Sequence, residues 1–126
     1  MRLVKASNKM AKENAMINTN IFDNWDDITV IKLETMDRQI YTGEKVMLVR
    51  NTIHPRAVIP NHAHPHEQIT YVVSGECDVT TAGETRHVGP GGLSWFASDE
   101  EHEVVNTLDE PLVVIDIFAP IREDFI

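Results

Sequence analysis

A chain of 126 residues with a formal net charge of −9 fits one domain with a single core and leaves no room for a second. An acidic surface of that size repels phosphate backbones and anionic membranes, so nucleic acid and membrane are excluded as expected partners, and no apolar run reaches the ~20 residues of a membrane span. Cys77 is the only cysteine, which rules out an intrachain disulfide, and the first residues hold no apolar core of the signal-peptide kind; the expected location is cytoplasmic, with Cys77 a small buried hydrophobe.

Residues 1–20 are polar and short of Gly and Pro, and read as an arm, disordered or helical, ahead of a domain over residues 21–126. From Ile21 onward the pattern becomes a succession of short strands. Ile28–Leu33 and Val46–Arg50 are predicted first, with a turn at Thr42–Gly43–Glu44 between them. Ile69–Val73 and Cys77–Thr81 flank Ser74–Gly75–Glu76, which predicts a hairpin. Turns follow at Ala82–Gly83–Glu84 and at Gly89–Pro90–Gly91–Gly92, and then strands at Leu93–Phe96, His102–Asn106 and Leu112–Phe118. Turn signals every ~8–12 residues without a helical period indicate an all-β sandwich or barrel.

Three of the six histidines fall in Pro60-Asn-His62-Ala-His64-Pro-His66-Glu67-Gln68. Residues i and i+2 of a strand share a face, so His62 and His64 can aim two imidazoles at one point. Imidazole nitrogen suits Zn, Ni, Fe and Cu. Gln68 has the same parity, whereas alternation sends Glu67 to the other face. His102 opens a later strand and can return to the same point. Pro65 disturbs the chain before His66, which is read as a supporting or surface residue, and His54 and His87 are read as surface residues.

These residues resemble the two sequence motifs of the cupin superfamily. His62, His64, Gln68 and Gly75 match the first, with Gln at the usual Glu position. Gly83, Gly89-Pro90-Gly91, His102 and Asn106 match the second, with a longer middle gap; Gly92 stands in place of a frequent Asp and Ala97 in place of a frequent Pro. The resemblance covers roughly residues 25–122. It implies a jelly-roll β-barrel in a single domain, with a divalent transition metal (Zn, Ni, Fe or Mn) held inside one end by His62, His64, Gln68 and His102. Neutral ligands would leave the full charge of the ion available to polarise a substrate.

Leu112-Val-Val-Ile-Asp116-Ile-Phe118 is an apolar run broken by one carboxylate, which needs a partner or a wet pocket. Asp116 is expected to face the barrel interior, as a general acid/base or as half of a structural pair with Arg122. The tail Asp116-Ile-Phe118-Ala-Pro120-Ile-Arg122-Glu-Asp124-Phe125, with HPHEQ upstream, resembles the small cupins of the KdgF type. Those act in pectin and alginate breakdown, converting 4,5-unsaturated uronate monosaccharides to linear 4-deoxy-5-keto-uronate. The resemblance implies an anionic small-molecule substrate and places Asp116, Phe118 and Arg122 in its pocket. Tyr71 and Trp95 are read as core residues, with a place at the border of the cavity as the alternative. Two other readings stay open: another metal-dependent cupin enzyme (dioxygenase, lyase or cyclase), and a small-molecule-binding cupin without catalysis. A homodimer is expected, since pairing covers exposed strand edges.

Overall fold

The computed structural model describes residues 2–5 and 16–126. Twelve strands follow in chain order: β1 (Arg2–Lys5), β2 (Met16–Thr19), β3 (Ile31–Lys32), β4 (Met36–Thr42), β5 (Met47–Ile53), β6 (Val58–His62), β7 (Glu67–Ser74), β8 (Cys77–Thr81), β9 (Glu84–Val88), β10 (Leu93–Phe96), β11 (His102–Asn106) and β12 (Leu112–Ala119). Short 3₁₀ turns occupy Trp25–Asp27 and Glu123–Phe125, and no α-helix occurs among the described residues. The arm expected over residues 1–20 lies largely outside the described residues; within them, β1 and β2 pair antiparallel.

A six-stranded antiparallel sheet runs β10-β7-β12-β5-β4-β3, and a four-stranded one runs β6-β11-β8-β9. The fold is therefore all-β, a jelly roll of two facing sheets. Alternation explains it locally. In β5 and β12 every second residue is buried (Met47, Val49, Asn51, Ile53; Leu112, Val114, Asp116, Phe118), the sign of a strand with one face on a core. One apolar cluster gathers Met36, Ile53, Val72, Cys77, Phe96, Leu112 and Val114, and a second gathers Met47, Val49, Phe118 and Ile121. Buried polar side chains, among them Asn51, Gln68, Thr70 and Asp116, lie between the two along β5, β7 and β12.

Two expectations need correction. Ser74–Gly75–Glu76 does not close a hairpin: β7 pairs with β10 and β12, whereas β8 pairs with β9 and β11. The turn carries the chain from one sheet to the other. Gly75 makes this possible at φ 88°, with a Cβ position only 3.1 Å from the Leu112 backbone. The predicted strand at Ile28–Leu33 shrinks to Ile31–Lys32, while β4 and β6 form where none was predicted.

Candidate metal centre

β6 is an edge strand, where Pro60 removes no ladder bond from a central position. Its register against β11 shifts by one residue, since His102 faces His62 but Val104 faces Ile59. This bulge re-aims the end of β6 and sets His62 directly across from His102. His64 follows on the connection to β7. The three rings converge, with centroids 4.3 Å apart for His62–His102, 4.9 Å for His64–His102 and 5.6 Å for His62–His64. Their candidate ligand nitrogens lie within 4.8 Å of one another.

The tautomers follow from the partners. Nδ1 of His62, His64 and His102 lies 2.8, 3.0 and 3.0 Å from the carbonyl oxygens of Pro60, His66 and Glu100. A carbonyl only accepts, so each Nδ1 carries the proton and each Nε2 keeps its lone pair, as in metal-ligating histidines. Nε2 of His102 is buried without a partner. Nε2 of His64 lies 2.9 Å from Oε1 of Gln68. Gln68 cannot turn its amide around without losing the bonds its Nε2 donates to Thr70 (2.9 Å) and Asp116 (3.1 Å). Two lone pairs thus face each other across a gap that a cation would relieve. Ligands ~2.1 Å from one ion and at right angles stand about 3 Å apart, so the donor set fits a divalent metal.

Burial favours the neutral form of the two inner rings, His64 and His102. It pushes His102 down to about 4, with the bond to Glu100 opposing and the other two histidines adding to the shift. His64 is also lowered, chiefly by burial. The Phe96 ring stacks on His102 at 4.1 Å and 5°, holding the plane of that imidazole.

Asp116 looks inward, as its parity on β12 requires, and lies opposite Thr70 in register. It accepts from Thr70 Oγ1 (2.7 Å), Asn51 Nδ2 (2.8 Å) and Gln68 Nε2. Burial raises the Asp116 carboxyl above the usual value, and those three donors pull it back. No structural pair with Arg122 forms. Arg122 instead grips Asp124 through Nε (3.0 Å) and Nη2 (2.8 Å). A cavity of about 170 Å³ is lined by His62, Gln68, His102, Asp116, Phe118 and Arg122, and the remaining candidate, His64, meets it through Gln68.

Sequence reasoning missed Asn51, Thr70, Arg38 and Phe125, which line the same cavity. Asn51 was recoverable as the polar residue at a buried parity of β5. Thr70 was recoverable as the next inward residue after Gln68. Tyr71 and Trp95 are corrections: the parity that turns Gln68 and Thr70 inward turns Tyr71 outward, and Trp95, 61% exposed, donates Nε1–H to Glu67 (2.8 Å). His66 contributes its backbone carbonyl to His64, and His54 and His87 bond acidic side chains at the surface. Cys77 is fully buried, its thiol pushed up to about 11 by burial, and so is inert.

Known proteins resemble the chain in sequence and in fold. The cupin domain family matches residues 49–118. The pectin degradation protein KdgF of Dickeya dadantii (strain 3937) is 36% identical over 91 residues, covering 71% of this chain and 82% of that protein. The structure of KdgF from Halomonas sp. superposes with a TM-score of 0.79 at 31% identity, over 86% of this chain and 100% of that one. An RmlC-like cupin from Shewanella frigidimarina NCIMB 400 gives 0.80 at 26% identity, over 86% and 97% of the two chains. With two inward histidine-bearing strands, a buried carboxylate across the cavity and relatives of this kind, the chain belongs to the cupin family as a KdgF-like cupin.

Proposed function

We propose that this chain is a metal-dependent enzyme that opens 4,5-unsaturated uronate monosaccharides to linear 4-deoxy-5-keto-uronate. The observation that carries the reading is the chain of contacts from His64 through Gln68 to Asp116, which puts a buried carboxyl group next to the histidine cluster in one cavity. The likeness to pectin degradation proteins supports the substrate class. His62, His64, Gln68 and His102 would hold the ion, which supplies Lewis-acid polarisation of a sugar oxygen when bound.

The reaction is an isomerisation. Loss of the C1 hydroxyl proton breaks the bond from C1 to the ring oxygen, giving an aldehyde at C1 and an enolate at C5; protonation at C4 then gives the ketone. One proton leaves oxygen and one arrives at carbon. Asp116, which faces the cavity, is the carboxyl for this transfer, and burial raises its affinity for the proton above that of an ordinary carboxylate. Thr70 and Asn51 hold its carboxylate in one orientation. Arg122, gripped by Asp124, adds to the polar wall of the cavity and Phe118 gives an apolar one, with the guanidinium 5.1 Å from the ring. A homodimer goes with the reading, supported by the exposed apolar residues Ile69, Tyr71, Leu93 and Trp95 on one face of the six-stranded sheet.

Purified protein incubated with unsaturated galacturonate should remove its ultraviolet absorbance faster than buffer does, with the linear product appearing in step. An uncatalysed rate in metal-loaded protein would end the proposal.

A further inference from the structure

Arg38 stands on β4 directly across from Asn51 and lines the cavity between the two apolar clusters. A half-buried guanidinium ordinarily finds a carboxylate, because removing its charge from water is costly unless it is paired. Arg38 makes no ion pair among the described residues. Its Nη2 meets only the Met36 sulfur, at 3.9 Å, and its Nε–H is buried without an acceptor. Its guanidinium lies 3.7 Å from the centre of the Phe125 ring, whose centre is 4.2 Å from the Arg122 guanidinium. Two cations thus flank one aromatic ring at the cavity. The Nε–Nη2 edge of Arg122 is already filled by Asp124, whereas on Arg38 Nε has no acceptor and Nη2 has only a thioether sulfur, a weak one.

We propose that Arg38 is the residue that binds the ligand's carboxylate directly, with Arg122, neutralised by Asp124, and Phe125 holding it in place. The site takes a small carboxylic acid whose other oxygens can reach the histidine cluster. This deepens the uronate reading and rests on it for the substrate class. Burial, and next the Arg122 charge, disfavour the Arg38 cation, while Asp116 and Asp124 favour it. An incoming carboxylate would remove that imbalance.

The test is calorimetric binding of D-galacturonate, which lacks the reactive double bond, and of its methyl ester, to metal-loaded protein. Wild type should bind the acid at least ~10-fold more tightly than the ester, a gap of about 1.4 kcal/mol. Arg38→Gln should lose that preference by weakening the acid alone, and Arg38→Lys should recover part of it, since charge returns without the planar fork. Metal content and melting temperature, measured on each variant, separate misfolding from lost recognition. Equal binding of acid and ester by wild type would overturn the proposal. So would an Arg38→Gln protein that keeps the preference, or one that loses acid and ester alike. If unsaturated galacturonate is not converted but the Arg38-dependent preference is present, the reaction falls and the carboxylate site stands. Conversion by Arg38→Gln at the wild-type KM sinks the site and leaves the reaction.

Discussion

Asp116→Asn is an informative single substitution. The amide would place an N–H₂ where Oδ2 now accepts from Asn51, two donors face to face. Asn51 can resolve this, because its Oδ1 is buried and unpartnered, and a flip of that amide presents it as the acceptor. The variant should therefore melt within a few degrees of wild type and keep its metal, while turnover falls ~10²–10⁴-fold. Wild-type kcat in a normally melting variant would end the acid/base role. Purified protein should carry about one divalent metal per chain, and His62→Ala with His64→Ala should lose it; full occupancy by elemental analysis would refute the site. Acid bears on the same rings. The unfolded His102 titrates near 6.5 and the folded one near 4, so the unfolded chain binds the proton first. Metal-free protein should lose about 3 kcal/mol of stability as pH falls across that window, at about 1.4 kcal/mol per pKa unit. A urea midpoint constant from pH 6.5 to 4 would contradict this. At this scale the sequence was legible wherever chemistry is rare in cores: the histidines, Gln68 and Asp116. Arg38 was hidden because an arginine in a polar stretch carries no such mark.

Among the elements, β8, β11 and β12 were readable because short runs holding β-branched or apolar residues stand between turn signals. β4 (MDRQIYT) and β6 (VIPNH) were not, since one carries polar residues on both faces and the other contains a proline. The turn at Gly75 was visible, but turn chemistry does not say which sheet receives the next strand. Asn106, the closing residue of β11, shows what the second motif does structurally. Its Nδ2 donates to the carbonyls of His54 (3.1 Å) and Glu110 (2.9 Å), with Ile53 at 3.4 Å, and its Oδ1 accepts from Leu108 N (3.0 Å). One side chain thus ties the ends of β5, β11 and β12. Asn106→Ala leaves buried backbone groups unsatisfied and should cost about 3 kcal/mol, at ~1–3 kcal/mol for each stranded group. Denaturant unfolding that shows a loss under ~1 kcal/mol would mean those groups find other partners.

For the whole molecule, two facing sheets were foreseeable as a class but not in their pairing, because strands distant in sequence are matched by burial alone. The outer face of the six-stranded sheet is the part least like an ordinary surface, with Leu93 68% and Trp95 61% exposed on the edge strand β10. Leu93→Glu with Trp95→Glu should shift sedimentation from dimer to monomer and leave the metal in place; a wild type that sediments as a monomer would rule the dimer out.

The histidine cluster is also lopsided: His62 is exposed, while His64 and His102 are buried. Depth sets an order of events. If the cluster holds an ion as proposed, an arriving ion would meet His62 first and reach the buried pair afterwards, and a departing one would pass His62 last. His62 would then be the gatekeeper of exchange, and the inner pair, braced by Phe96 and by the His66 and Glu100 carbonyls, would weigh most in how tightly the ion rests. A chelator added in excess would find its rate of stripping written mainly in one residue and the final equilibrium in the other two.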